Sequence, residues 1–111
     1  MKRLKMFSGD DFLGSRGRAH TAREKVEQAL LSHPSSGVVL DFKGVAGMSH
    51  SFTDELLSPL DELLGEDMGR RVSLVRCAKG VRDAVEMVCE MHGLRPPKVS
   101  AKDLAGEPAA V

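Results

Sequence analysis

The chain has 111 residues, enough for one hydrophobic core and no more. Its hydrophobic fraction of 41% and charged fraction of 29% belong to a globular domain rather than a disordered segment. Sixteen basic and sixteen acidic residues cancel, so the whole-chain charge gives no electrostatic case for nucleic acid or an anionic membrane, and no apolar run reaches the roughly 18 residues of a membrane span.

In chain order, MKRLKMFSGDD is basic but lacks the apolar centre of a signal peptide. Leu4, Met6 and Phe7 predict a short first strand over Arg3–Ser8, followed by a turn at Gly9-Asp10-Asp11. Phe12 and Leu13 are expected to close over the core. Gly14-Ser15-Arg16 leads into a helix that runs to about Ser32, with Ser15 as N-cap and Ala19, Ala22, Val26, Ala29 and Leu30 on its buried face. Arg16 falls in the first turn, where the helix dipole disfavours a cation. It is expected either to pair with a carboxylate, Asp54 or Asp41, or to contact an anion beside Ser51. Pro34 stops the helix.

The stretch from Val38 to Leu56, VVLDFKGVAGMSHSFTDEL, organises the rest. Val38-Val39-Leu40-Asp41-Phe42 reads as a buried strand, ended by Lys43-Gly44. Ser51-Phe52-Thr53-Asp54 has the form of a capping box, with Ser51 as N-cap of a helix. Apolar residues at 52, 56, 60, 63 and 64 mark one face of that helix. Pro59 predicts a kink or break near Leu57–Pro59, and Gly65 the helix end.

Arg71–Arg76 is the third predicted strand. A helix from Gly80 to about His92 is expected to bury Val81, Ala84, Val85, Val88 and Met91, with Gly93 as its C-terminal glycine. Met48, Met68, Met87 and Met91 are taken as core or loop packing. Val99 is expected to add a short edge strand. Ser100-Ala101-Lys102-Asp103 repeats the capping-box pattern, and residues 106–111 read as a frayed tail. Strand and helix alternate throughout, which predicts an α/β fold with a small, mostly parallel sheet and helices packed against it.

LDFKGVAGMSHSF resembles, without a gap, the signature of STAS domains, the family of anti-sigma factor antagonists and sulfate-transporter domains. It is closer still to the uncharacterised STAS-like family, whose pattern Leu40, Asp41, Phe42, Gly44, Val45, Ser49, Ser51, Phe52, Asp54, Glu55 and Leu56 fit. Ser15-Arg16 matches the pair that opens that family's first helix. The resemblance covers roughly residues 3 to 94. It implies a STAS-like domain over 1–96 with a C-terminal extension over 97–111. It also implies that Ser51 stands on the serine or threonine that partner-switching members phosphorylate. Ser49 stands where the antagonists carry aspartate, and Phe52 where they carry glycine. The function implied is a regulatory protein-binding module of bacterial signalling, docking a histidine-kinase-like ATPase or anti-sigma-like protein through the loop and helix after the central strand. Ser49, His50, Phe52, Asp54, Glu55, Ser15 and Arg16 are its binding candidates, and Asp41 and Gly44 its structural residues. The alternative is a small-ligand or nucleotide-binding domain using the same strand–helix junction.

Other chemistries find little footing. His50, Ser51 and Asp54 have the types of a triad, but adjacent residues rarely aim at one another and no G-x-S-x-G elbow surrounds Ser51. No catalytic residue is assigned. His20, His33, His50 and His92 share no metal-ligand spacing, and Cys77 and Cys89 match no thiol or zinc motif. No metal or cofactor is expected, and the two lone cysteines point to a reducing, cytoplasmic setting. Neither a phosphate-cradling loop nor a dinucleotide fingerprint is present. Four phenylalanines, with no tryptophan or tyrosine, make no stacking platform for nucleic acid. Charge is uneven, however. Residues 1–25 carry a net charge of +4 and residues 51–67 one of −6. These are either two faces that attract each other within the fold or an acidic helix offered to a partner.

Overall fold

A computed structural model describes residues 2–5 and 11–102. In chain order these form β1 (Lys2–Lys5), β2 (Phe12–Leu13), α1 (Arg16–Ser32), β3 (Val38–Asp41), β4 (Gly47–Met48) and α2 (His50–Leu64). A 3-10 turn (Gly65–Asp67) follows, then α3 (Met68–Arg71), β5 (Val72–Val75), α4 (Lys79–His92) and β6 (Lys98–Val99). The main sheet has the order β1-β3-β5-β6, every pair parallel. Each crossover steps the same way along the sheet. Right-handed connections therefore place α1, α2 and α4 on one face. The α/β fold with a mostly parallel small sheet and helices against it is the observed one.

The β-branched, apolar run of β3 takes the centre because only a strand flanked on both edges can bury so many consecutive apolar residues. Val38, Leu40, Val72 and Leu74 face the helices and join Val26, Leu30, Phe52, Leu56, Leu60 and Val85 in one core. Val39 and Val75, which alternate with them, are buried as well. Phe42 and Phe52 are both fully buried, as expected. Val99 does add an edge strand, pairing with Leu74.

Several local expectations need correction. The helix after the central strand starts at His50, one residue before Ser51, and its N-cap is Ser49. It also runs through Pro59 without a break. Pro59 forfeits one backbone bond, but Leu56, Leu57 and Leu60 on either side are all buried, and their packing holds the turn together. Phe12 is 58% exposed, its ring lying against Gly14 and Gly47, while Leu13 alone enters the core. Leu63, Met87 and Met91 are exposed. On α4 the core-facing arc is filled by Val81, Val85, Val88 and Cys89, leaving Met91 outside it. β2 and β4 form a separate two-stranded parallel pair that the sequence reading missed. Met6–Ser8 of the predicted first strand, the Gly9-Asp10 turn, Asp103 of the last capping box and the tail at 106–111 lie outside the described residues.

Two other contacts tie distant segments together. The last turn of α1 holds no basic residue of its own. Arg71 supplies the cation, donating to the carbonyls of Leu30, His33 and Ser36 at 3.0 Å each. Gly80 at the start of α4 lies directly on the segment before β4: a Cβ there would stand 2.2 Å from the Ala46 carbonyl oxygen. Glycine is required at that position by close approach of two backbones.

Candidate functional site

At the end of β3 the chain must turn to reach α2. Asp41 is 2% exposed and ends the strand. Its carboxylate accepts from Arg3 on β1 at 3.0 Å, from Arg76 after β5, and from the Lys43 backbone N–H at 3.0 Å. The Arg76 guanidinium, aided by the Lys43 N–H and Arg3, outweighs burial and pulls the Asp41 pKa down to about 2. Arg76 sits at φ 53, a left-handed conformation that a non-glycine residue adopts at a cost. Its two side-chain bonds to Asp41 hold it there. Asp41, at the end of the central strand as expected, thus joins three strands at one end of the sheet. Gly44, at φ 85, occupies the turn closed by the Val45 N–H on the Phe42 carbonyl at 3.0 Å. A side chain there would be strained.

The loop then docks on the segment before α1. Asp11's carbonyl accepts from Ala46 and Gly47, and Leu13's carbonyl accepts from the Ser49 N–H at 2.8 Å. The Ser49 hydroxyl accepts from the Phe52 N–H at 3.0 Å and donates to the Gly14 carbonyl at 3.2 Å. It therefore both caps α2 and pins it to the start of α1. Thr53, fully buried, donates back to the Ser49 carbonyl at 2.8 Å.

Ser51 consequently stands inside the first turn of α2, half-buried, and its hydroxyl has no hydrogen-bond partner among the described residues. His50 is exposed and meets His92 of α4, Nε2 to Nε2, at 3.1 Å. Asp54 accepts from the Ser58 hydroxyl and lies 3.9 Å from His92. No Ser51–His50–Asp54 relay is assembled, because each of the last two is engaged elsewhere. Ser15 caps α1 as expected, accepting from the Arg18 N–H at 3.3 Å. Arg16 does pair with a carboxylate, but with Glu55 at 3.1 Å rather than Asp54 or Asp41. Arg23 and His20 approach the same Glu55 at 3.6 and 4.0 Å. The basic face of α1 thus meets the acidic helix at one residue, Glu55.

Two clefts, of about 560 and 580 Å³, lie away from residues 49–55. The first is lined by Leu4, Lys5, Ser15, Arg18 and Lys25, the second by residues of α4 and the segment 94–99. Burial pushes the thiols of Cys77, up to about 11, and Cys89 above their ordinary range, which suits packing rather than reactivity. Among the described residues no helix is long and apolar enough to cross a membrane. Ser49→Ala should cost ~1 kcal/mol or somewhat more, because it removes a cap and a tether together. Ser51→Ala should stay within about 0.5 kcal/mol of wild type. Paired urea melts of the two variants check the assignment of the cap.

Compared with family models, with curated proteins and with solved structures, the chain matches none.

Proposed function

We propose that this chain is a regulatory protein-binding module that docks a protein partner through the loop and first turn of α2. The observation that carries the reading is the division of labour between two serines. Ser49 is spent on the fold. Ser51, two residues on in the same turn and half-buried, has no hydrogen-bond partner for its hydroxyl among the described residues. Exposed His50 and half-buried Asp54 and Glu55 lie beside it. Phe52 acts from beneath, seating the turn on the core.

The resemblance to STAS-like proteins makes a histidine-kinase-like ATPase or an anti-sigma-like protein the class of partner, and phosphorylation of Ser51 the means of control. A phosphate would add about −1.5 to −2 charge. The helix N-terminus tolerates it, since free N–H groups and the dipole face it. Asp54 and Glu55 add to the negative field, and Arg16 pairs with Glu55 one turn further along α2. The module would keep its fold and change the charge of its docking edge. The small-ligand alternative has less support, since Arg16 is engaged by Glu55.

Ser51→Asp should melt within about 1 kcal/mol of wild type and lose the partner. Ser51→Ala should keep it. The check is affinity capture from the native host with all three proteins, read for a species that only Ser51→Asp fails to retain. Equal retention by wild type and Ser51→Asp would end the case for a switch at Ser51.

A further inference from the structure

We infer that His50 and His92 form a binding site for a divalent transition-metal ion of the zinc class, clipping the start of α2 to the end of α4. Their Nε2 atoms face one another at 3.1 Å, with ring centres 5.2 Å apart and planes tilted by 58°. Both rings are exposed, so an ion has open access. A tetrahedral zinc holds imidazole nitrogens at about 2.0–2.1 Å, which sets two of them about 3.4 Å apart and their ring centres about 5.3 Å apart. The observed pair needs an opening of about 0.3 Å to reach that geometry, well within the freedom of two surface side chains. Without an ion, the two rings share a single contact between their Nε2 atoms. With one, both lone pairs are used on the same cation.

The start of α2 at His50 disfavours a cation, whereas the last turn of α4, which holds His92, favours one. Asp54 lies one helical turn after His50 on α2, and its Oδ1 stands 3.9 Å from His92 Nε2. It adds negative charge at the mouth of the pair. Among the described residues no three His, Cys, Asp or Glu side chains are set to hold a metal together. The proposed site thus offers two protein ligands, and water would complete the shell. The histidines are 42 residues apart, so no sequence spacing could announce them. The inference needs neither Ser51 nor a protein partner, and its failure would leave the docking reading untouched.

The test is zinc binding by the purified full chain, followed by competition with a chromophoric chelator. One ion per chain should bind with a dissociation constant below about 0.1 mM. His50→Ala and His92→Ala should each weaken it about tenfold or more, and Asp54→Asn by a smaller factor. His20→Ala, an exposed histidine on α1, should leave it unchanged. Wild type and His20→Ala should also gain melting temperature with zinc, and His50→Ala and His92→Ala should gain less, since the ion binds only the folded arrangement. Far-UV circular dichroism confirms that each variant is folded. Absence of binding at that level, binding that survives loss of both histidines, or binding abolished by Cys77→Ser would each overturn the site.

Discussion

Phe52→Ala should lower the stability of the fold by ~3–5 kcal/mol. The ring is fully buried at the third residue of α2 and belongs to the single core that joins helices to sheet. Its removal leaves a hole where α2 meets that core, and the neighbours are held by their own strands and helices, so collapse into it is limited. A domain of this size is stable by about 5–15 kcal/mol, which makes the loss a large share of the whole. A thermal or urea melt of Phe52→Ala beside Phe12→Ala gives the clearest measure. Phe12 is the same residue type at 58% exposure and should cost less than about 1 kcal/mol. Similar losses for the two would remove Phe52 from the core.

The second large effect belongs to Asp41. Asp41→Asn should cost about 2–3 kcal/mol near neutral pH, because the carboxylate is buried and its two arginine partners lose their counter-charge. The arginines are 37% and 31% exposed and turn to water, which keeps the cost below that of a fully buried pair. The effect depends on acidity in a definite direction. Asp41 has a folded pKa of about 2 against an ordinary 3.8, lowered chiefly by Arg76. A depressed carboxylate stabilises the fold above its unfolded pKa and loses that contribution as pH falls through its folded one. About 2 kcal/mol should therefore be present above about pH 5 and disappear by about pH 2. Urea melts across that range should show the gap between wild type and Asp41→Asn closing on acidification. A gap independent of pH would show that Asp41 acts by packing alone.

The alternation of strands and helices was legible because it rests on local chemistry. β-branched residues at Val38-Val39, helical spacing from Ala19 to Leu30, and glycines at 65 and 93 each act within a few residues of themselves. What the sequence could not show was settled across the fold. Ser51 carries the better local capping box, with Asp54 three places on. Ser49 became the cap because its N–H reaches Leu13 and its hydroxyl reaches Gly14, some 35 residues earlier for the latter bond. Pro59 argued locally for a break, and three buried leucines around it overrode the propensity. The charge asymmetry between residues 1–25 and 51–67 was visible. Its convergence on Glu55 was not, since a one-residue step of about 100° round α2 decides whether residue 54 or 55 faces α1. Asp41 was recognisable as a strand end, but Arg3 and Arg76 offered no local sign that they belonged to it. Within the candidate site, the presence of the strand–loop–helix junction was readable, while the division of roles between Ser49 and Ser51 required the three-dimensional contacts.

The reach of Arg71 across the molecule bears on how the chain is made. During synthesis α1 leaves the ribosome long before the residue that completes it; the His33 carbonyl waits 38 residues for its donor. Until then the carbonyls of Leu30, His33 and Ser36 lack the Arg71 donor they have in the folded chain. The parallel pairing of β3 with β5 is likewise deferred, because β5 begins at the residue after Arg71. One side chain thus arrives together with the strand that closes the centre of the sheet. The carbonyls of Leu30, His33 and Ser36 and the β3–β5 pairing therefore wait on one and the same stretch of chain, residues 71–75.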